Sequence, residues 1–336
     1  MKTKRLMRYA AGAICALMMV GAAHAETNEV ILARQFGIGY LPLAVMNVNQ
    51  LVQKQLKNAG MENTKVTWSR FGSGSAANDA LLSGQLDFAS GGTGPAIILW
   101  DKTRTNVKVH GVAALSSMPN LLVSVAPEIK TIKDFTDQDK IAMAGAGSSV
   151  QTVYLQMAAA KEWGIDNYKK LNRLMVNLPH PEGLNAMLSG SAGIRSNFTT
   201  PPFQYIALQN EKVHVVLNSY DIMGGANTFL MVWGTDKFRT ENPKTFKAVL
   251  DALKEATAWI NANPREAAEL YVKDTGGKEA VEFIEKMIRD PEIHYTMAPE
   301  RILPYAQFMN TVGTIKNRPE SWKDLFFPEV HDLKGS

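Results

Sequence analysis

A pattern of strand, glycine-rich turn and helix occurs twice in this sequence, 106 residues apart. In both copies short apolar runs alternate with helical stretches, which is typical of α/β architecture. Seven pairs of identical residues share the offset: Ala80 and Ala186, Leu82 and Leu188, Ser83 and Ser189, Gly84 and Gly190, Ser90 and Ser196, Thr93 and Thr199, and Pro95 and Pro201. Gly39 and Gly145 keep it as well. Because the pairs fall at equivalent places in the pattern, we favour a duplication over chance and expect two α/β lobes of like construction.

The expected elements divide the chain into two lobes, one of them discontinuous. Strands are predicted at residues 30–34, 66–68, 86–89, 107–115 and 140–143, and helices at 43–59, 76–82, 96–101 and 150–163. The C-terminal third is mostly helical after a β-prone run. Two runs, 120–124 and 228–233, have the character of crossings between lobes. This places residues 26–118 and 228–336 in the first lobe and residues 119–227 in the second.

The first 25 residues have the features of a secretory signal peptide. A basic start precedes an apolar run from residue 9 to residue 20, and Ala23-His24-Ala25 fits the small-residue pattern that signal peptidase accepts. The run is shorter than the roughly 20 apolar residues that a membrane-spanning helix needs. An uncleaved N-terminal anchor is the alternative. We expect cleavage after Ala25 and a periplasmic location.

Removal of this segment changes the charge and leaves no cysteine. The whole chain has 36 Lys and Arg against 32 Asp and Glu, and residues 1–25 hold four of the basic residues and no acidic one. The mature chain is therefore formally neutral, which does not favour nucleic acid or a membrane surface as a partner. The one cysteine, Cys15, lies in the signal, so disulfides and thiolate chemistry are excluded from the mature chain. The histidines show no metal-binding spacing, and we expect neither metal nor cofactor.

Six turns rich in Gly, Ser and Thr lie at or near the carboxyl ends of predicted strands. They span residues 36–40, 72–75, 91–94, 116–118, 145–149 and 199–202. Open α/β sheets bind ligands outside the carboxyl ends of their strands. Several of the turns lead into helices, whose N-termini hold anions through unpaired N–H groups. Such residues also form ordinary turns and caps, but six turns on one rim favour a small-anion site between the lobes.

Catalytic patterns are not recognisable. The sequence has no P-loop and no G-x-S-x-G motif, and residues 37–39 match only part of a dinucleotide-binding fingerprint. Asp79, Asp87 and Glu182 cannot be assigned as a paired acid and base. Because guanidinium groups bind carboxylate or sulfonate in a fork, the candidate anion clamps are Arg34, Arg70 and Arg195. A salt-bridged strand residue is an equal alternative for Arg195.

These motifs resemble those of the substrate-binding proteins of nitrate/sulfonate/taurine ABC importers. The likeness is carried by residues 71–75 (FGSGS), 79–89 (DALLSGQLDFA), 94–95 (GP), 132–135 (IKDF), 186–190 (AMLSG), 199–203 (TTPPF) and 229–233 (FLMVW). The group includes the aliphatic-sulfonate binders and relatives of the thiamine-precursor synthases. The resemblance extends over nearly all of the mature chain, and the order and spacing of the motifs make it specific.

The resemblance implies a type II periplasmic-binding-protein fold, in which two α/β lobes joined by a two-strand hinge close on a ligand. It also implies a monomer that binds a small solute and docks transiently on an ABC permease of the inner membrane. The ligand-holding positions carry over to Ser73, Gly74, Ser75, Thr93, Gly94, Ser116, Ser117, Ser148, Ser149, Thr199 and Thr200. Residues 190–195 lack the acidic residue usual at that place in the family, and this departure would bring Arg195 toward the cleft.

The class of ligand and the absence of catalysis are further expectations. Phe36 and Tyr40, together with Met118 and Phe203, suit an organic acid with an apolar or aromatic body better than bare nitrate, although packing would also explain them. Sulfonate, nitrate and organic carboxylate therefore stay open. The enzymes of the group depend on cysteines that the mature chain lacks, so we expect a binding protein. A signalling module and, less favoured, a periplasmic hydrolase of the same fold are the alternatives.

Overall fold

The structure is a computed structural model that describes residues 26–277 and 279–336. The predicted signal peptide, residues 1–25, lies outside the described residues. The described strands form two five-stranded sheets. They are β1 (Glu29–Arg34), β2 (Lys65–Arg70), β3 (Phe88–Gly92), β4 (Val109–Ser117), β5 (Leu121–Ser124), β6 (Ile141–Met143), β7 (Met175–Asn177), β8 (Ser196–Thr199), β9 (His214–Asn218) and β10 (Thr228–Thr235).

The two sheets have the same strand order. The first runs β2-β1-β3-β10-β4 and the second runs β7-β6-β8-β5-β9. In each sheet three neighbouring strands are parallel, and the fourth strand is antiparallel to both of its neighbours. In the first sheet that strand is β10, which returns after the chain has built the second sheet. The arrangement confirms the predicted fold class. We call the parts built on the two sheets the first lobe and the second lobe.

Helices pack around both sheets and begin at local sequence signals. Ser73 and Ser149 cap two of them by accepting a hydrogen bond from the first turn, and Pro243 and Pro264 stand at the first position of two others. The helices are α1 (Leu41–Val48), α2 (Leu51–Asn58), α3 (Gly74–Leu82), α4 (Thr93–Thr103), α5 (Val150–Trp163), α6 (His180–Ser189), α7 (Phe203–Ala207), α8 (Ser219–Met223), α9 (Asp236–Glu241), α10 (Pro243–Ala262), α11 (Pro264–Thr275), α12 (Val281–Ile288) and α13 (Ile302–Thr311).

The helix predicted at residues 43–59 is two helices. Gln50 adopts a left-handed conformation with a φ of 51°, which ends α1 and starts α2. Val45, Val52 and Leu56 are nevertheless all buried, so the apolar face continues across the break. The apolar spacing, which also includes Leu51 and Val48, therefore predicted most of the buried face. Val48 is nevertheless 42% exposed, and the spacing carried no signal for the turn inside the face.

The repeat is visible in the structure as far as β3 and β8, but it does not hold at every pair. Thr93 begins α4 whereas Thr199 ends β8, and Pro95 lies in α4 whereas Pro201 precedes α7. Helices α3 and α6 begin at residues 74 and 180, which are 106 residues apart, and the paired Ser90 and Ser196 lie in β3 and β8. Gly39 and Gly145 are not equivalent. Gly145 lies two residues after the end of β6, whereas Gly39 lies five residues after the end of β1 and inside a 3₁₀ turn. The first lobe thus has a longer turn after its first strand.

The chain passes between the lobes at residues 118–120 and 219–227, just before β5 and β10. Of the two runs expected to cross, residues 121–124 and 228–233 lie in strands that each belong to one sheet, and only Asn120 belongs to a connection. The two connections contact each other: the Asn120 amide donates to the Ser219 hydroxyl at 2.9 Å, and the Ser219 amide donates to the Asn120 carbonyl at 3.0 Å. Two adjacent, hydrogen-bonded connections are the geometry of a hinge.

Most of the apolar core is continuous through the first lobe and onto one face of the second sheet. The other face of the second sheet has a small cluster of its own, which includes Leu184, Met187 and Ile194. The largest fully buried side chain is Trp233 of β10, whose indole N–H donates to Asn78 at 2.9 Å. Over residues 26–277 and 279–336, the structure contains no helix of the length and apolarity needed to cross a membrane.

Candidate ligand-binding cleft

The turns that follow β1, β3, β6 and β8 face each other between the lobes. The Ile38 amide of the first lobe donates to the Pro201 carbonyl of the second at 3.2 Å. Glycines mark other points of close approach. A Cβ on Gly94 would lie 2.7 Å from the Ser148 carbonyl oxygen, and one on Gly92 would lie 3.2 Å from the Val150 side chain. The two rims therefore meet at contact distance.

Four helices begin at this gap, two from each lobe. They are α3 and α4 of the first lobe and α5 and α6 of the second. The first amides of a helix have no partner inside it and carry partial positive charge, so the gap favours a negative group without a full cation. We call this gap the inner compartment. Its cavity volume is about 30 Å³, and its lining includes Gln35, Tyr40, Ser73, Gly74, Gly92, Ser149, Gln151 and His180.

Several of the residues predicted for the site lie at this compartment. Tyr40, Ser73, Gly74 and Ser149 line it, while Ser75 lies beside it with its hydroxyl 3.0 Å from that of Ser73. The cap hydroxyls are already engaged, because Ser73 accepts from Ala76 and Ser149 accepts from Thr152. Each cap hydroxyl also lies within hydrogen-bond distance of a second hydroxyl in its own turn, Ser73 of Ser75 at 3.0 Å and Ser149 of Thr152 at 3.1 Å.

Thr93 and Gly94 lie at the start of α4, where the lobes touch. The Thr93 hydroxyl and the Tyr305 hydroxyl of α13 are both buried next to each other, and neither makes a hydrogen bond of normal geometry among the described residues. A hypothetical Cβ on Gly94 would lie 2.9 Å from that Tyr305 hydroxyl. Buried hydroxyls normally find partners, so this end of the cleft has unused hydrogen-bonding capacity.

Other predicted residues are already used by the fold. Ser116 is fully buried in β4 and donates to the Gly39 carbonyl at 3.2 Å. Ser117, also buried, pairs through its main chain with His294, but its hydroxyl has no hydrogen-bond partner among the described residues. Thr200 contacts the sulfur of Met118, and both are buried. The hydroxyls of Ser116 and Thr200 are thus engaged within the fold, and none of these three residues lines either cavity between the lobes.

The structure corrects the predicted role of Arg195 as a ligand-binding residue. Arg195 lies immediately before β8, at the amino end of that strand, whereas the cleft lies at the carboxyl end near Thr199. Its guanidinium pairs with Glu128 at 2.6 Å and with Asp139 at 3.0 Å. The strand separates these ends by roughly 13 Å at about 3.3 Å per residue. The expectation that Arg195 reaches the ligand is therefore wrong, and the salt-bridged alternative is what the structure shows.

His180 is the main cleft residue that sequence reasoning missed. Its Nδ1 lies 3.0 Å from the Thr199 hydroxyl, and its ring stacks on Phe203 with the centroids 5.8 Å apart. Burial lowers the pKa of His180 to about 4, so the ring is neutral at pH 7. The repeat contained a usable signal, because His180 begins α6 at the place where Gly74 begins α3.

A second, larger cavity opens beside the first, and we call it the outer compartment. Its volume is about 240 Å³. Its lining contains aromatic rings from both lobes, including the predicted Phe36 and Tyr40 and also Tyr271 and Phe203. Its charged lining residues all come from the first lobe and are Arg34, Arg70, Asp274 and Glu279. Gln35 and Tyr40 line both compartments, and the Gln35 amide is held by the Ser90 carbonyl at 2.8 Å.

Comparison with known proteins decides the family. The model of the NMT1-like family matches residues 23–272, about three-quarters of the chain. The chain belongs to the NMT1-like family. No curated protein matches it significantly. The family and the solved structures below confirm the predicted resemblance to the nitrate/sulfonate/taurine group at the level of family and fold.

Solved structures of periplasmic binding proteins share the fold of this NMT1-like chain. The alkanesulfonate-binding protein SsuA from Xanthomonas axonopodis pv. citri, bound to MOPS, is 14% identical with a TM-score of 0.68, and the match covers 88% of this chain and 96% of that chain. The nitrate-binding protein NrtA from Synechocystis PCC 6803 is 16% identical with a TM-score of 0.66, covering 89% and 84%. The sulphonate-binding SsuA from Escherichia coli is 15% identical with a TM-score of 0.63, covering 90% and 92%.

The cleft of this NMT1-like protein has the chemistry of a binding site. The polar groups of the inner compartment are helix-start amides, hydroxyls, amide side chains and a neutral imidazole, which are able to donate hydrogen bonds to an anion. In the described part of the chain, no group of three or more His, Cys, Asp or Glu is placed to hold a metal ion. Asp79 and Glu182, the candidate acids near the rim, are absent from the lining of both compartments.

Proposed function

We propose that this protein is the solute-binding component of an ABC importer and captures a small organic anion by closing its two lobes. The observation that carries the proposal is the convergence of four helix N-termini, two from each lobe, on one gap. Such a gap stabilises a negative group and is complete only when the lobes are together. The neighbours named for sulfonate and nitrate binding support the same class of ligand.

A transport role requires that the ligand enter and leave unchanged. The hinge connections at residues 118–120 and 219–227 let the lobes separate without breaking either sheet. The closed shape would then be recognised by a permease of the inner membrane, with the binding protein acting as a monomer. The aromatic walls of the outer compartment favour an organic acid over nitrate as the solute.

A periplasmic location is part of the proposal. The carboxylate of Glu26 accepts from the amides of Lys244 and Thr245 at 2.7 and 2.8 Å, at the start of α10. A negative group at a helix N-terminus is stabilising, so a chain that starts at residue 26 would have an anchored first residue.

The test is a thermal-shift screen of residues 26–336 with alkanesulfonates, carboxylates, nitrate and bicarbonate, because a ligand that binds only the folded state raises its Tm. Calorimetry on the best ligand should then show that Thr93→Val and Ser149→Ala each weaken binding by roughly 1–2 kcal/mol. Ser321→Ala is the matched control, since Ser321 caps the 3₁₀ helix Trp322–Leu325 and lines neither compartment.

Two results would contradict the proposal. One is that no anion in the screen raises the Tm. The other is that the bound compound is consumed, which would favour a hydrolase of the same fold. If the wild type, Thr93→Val and Ser149→Ala bind the ligand with equal affinity, the ligand is not bound at these helix N-termini.

A further inference from the structure

The two compartments are adjacent, because Gln35 and Tyr40 line both. The inner compartment has the helix N-termini but only about 30 Å³ of volume, whereas the outer has about 240 Å³. A ligand whose acidic group lies at the helix starts must therefore place its body in the outer compartment.

The walls of the outer compartment suit an apolar body. Phe36, Tyr40 and Tyr271 come from the first lobe, and Phe203 faces them from the second together with Pro181 and Pro202. Rings and prolines present flat apolar surface and lose little conformational entropy on binding. A hydrocarbon chain or an aromatic ring is the group that such walls accept.

Two arginines stand side by side at the margin of this compartment. Arg34 and Arg70 end the parallel strands β1 and β2 and are partners in the strand register. Arg34 is neutralised: both of its terminal nitrogens contact Asp274, at 2.5 and 2.9 Å, in a pair whose side chains are 11% and 8% exposed. A buried pair of this kind fixes the wall.

Arg70 differs from Arg34 in its exposure and in having no carboxylate partner among the described residues. Its side chain is exposed and its guanidinium lies over the Phe36 ring, 5.2 Å from the centroid. Across residues 26–277 and 279–336, no carboxylate lies within 4.0 Å of it. The one other acid of the compartment besides Asp274 is Glu279, which would repel a ligand acid and so restrict it to the Arg70 side. Arg70 is thus a cation held in place by an aromatic ring, facing a cavity and free to bind an acid.

We propose that the solute carries two acidic groups separated by an apolar body, with one group at the helix N-termini and the second at Arg70. This inference rests on the proposed function and narrows its class of ligand. Arg70 would select two-acid solutes over one-acid solutes of the same length, because the guanidinium gains a charge-assisted hydrogen bond only from the second acid.

The test compares straight-chain dicarboxylates of four to ten carbons with monocarboxylates of equal length, by calorimetry on residues 26–336. At one chain length or more, the dicarboxylate should bind at least about tenfold more tightly than its monocarboxylate partner. Arg70→Gln should remove that advantage and leave monocarboxylate affinity within about twofold. Arg104→Gln is the control, because Arg104 also lies over an aromatic ring, Trp100, at 4.6 Å, but outside both compartments. Thermal melts show whether each variant is folded.

The outcomes separate the two proposals. If dicarboxylates have no advantage at any length, or if Arg70→Gln weakens both kinds of acid equally, the two-acid inference is overturned while anion binding stands. If neither kind of acid binds and sulfonates bind, the comparison is repeated with alkane-disulfonates and monosulfonates, and the same criterion applies. If no anion of any kind binds, the proposed function fails and the inference fails with it.

Discussion

The two lobes have the same strand order but present different chemistry to the cleft. The first lobe supplies every ionised side chain of the two compartments, including Arg34, Arg70 and Asp274. The second lobe supplies neutral groups, among them Ser149 and the neutral ring of His180. Burying an ionised group is expensive unless it is paired. The difference suggests a division of labour, in which the charged lobe docks the anion and the neutral lobe covers it without desolvating further charges.

The lobes also differ in how they are supported. The first lobe holds the helices α9 to α13 in addition to its repeated part, and the main apolar cluster runs through it. One face of the second sheet depends on a separate cluster of few residues. The first lobe is therefore expected to be the fixed platform and the second the lobe that moves.

The largest expected loss of stability follows from truncating Trp233, the largest fully buried side chain of the first lobe. Trp233 is fully buried and lies beneath the start of α3, where a Cβ on Gly74 would be 3.7 Å from its ring. Trp233→Ala should destabilise the protein by about 3–5 kcal/mol and also weaken anion binding.

Met187→Ala, in the small cluster of the second lobe, should destabilise the protein by about 2–5 kcal/mol but leave the affinity for the anion unchanged. Denaturant unfolding and calorimetry measure both. Equal losses of affinity in the two variants would contradict the platform model.

A smaller effect should follow from blocking the approach of the lobes. In Gly94→Ala the new methyl group would lie 2.7 Å from the Ser148 carbonyl oxygen, so closure should be hindered and affinity should fall by about 100-fold, or roughly 2.7 kcal/mol. Gly72→Ala is the matched control, because its methyl would meet Pro179 of the second lobe at an ordinary 3.6 Å. Small-angle scattering with ligand should show an open Gly94→Ala variant and a closed control. A closed, tight-binding Gly94→Ala variant would show that the rims do not limit closure.

The sequence predicted the parts of this comparison that depend on local signals. Strand alternation, serine caps and glycine turns act over a few residues, so β1 to β3, the starts of α3 and α5, and the repeat could be recognised. The placement of Ser73, Gly74 and Ser149 at the inner compartment follows from those elements and from the rule for carboxyl ends of strands.

The remaining features depend on pairing between distant segments. Asp274 lies 240 residues from the Arg34 that it neutralises. Ser116 is buried because β10 returns beside β4, a partner that the local pattern of β4 cannot reveal. The prediction for Arg195 was wrong because its place next to Ser196 in the sequence does not indicate which end of β8 faces the cleft. Such contacts are decided by tertiary packing.

The pH dependence of stability tests the neutrality of the second lobe. The pKa of His180 is about 4 when folded, against about 6.5 for an unfolded histidine. Between these values the unfolded chain binds more protons, so stability should fall as the pH drops from 6.5 toward 4, by on the order of 2 kcal/mol. His180→Gln should remove this part of the loss, as seen in unfolding curves at pH 7 and pH 4.5.

Burial also lowers the pKa of His110 in the first lobe. His110→Gln should therefore remove a separate part of the loss of stability at low pH, and the effects of the two substitutions should add. An unchanged pH dependence in His180→Gln would show that the second lobe tolerates a charge.

The smallest expected effect concerns a direct tie between the lobes. The Tyr168 hydroxyl of the second lobe donates to the Val312 carbonyl, at the end of α13 in the first, at 3.0 Å. Separation of the lobes would break this bond, so it stabilises the closed form. Because Tyr168 is only half-buried, Tyr168→Phe should destabilise the closed form by about 0.5–1 kcal/mol and weaken binding about two- to fivefold. Distance measurements between labels on the two lobes should show a larger fraction of open molecules.

The control is Asn310→Ala, which removes hydrogen bonds from the same end of α13 to Ile315 and Lys316, all within the first lobe. It should leave the fraction of open molecules unchanged. If both variants shift it equally, α13 acts through its own packing and the tyrosine contact does not hold the mobile lobe to the platform.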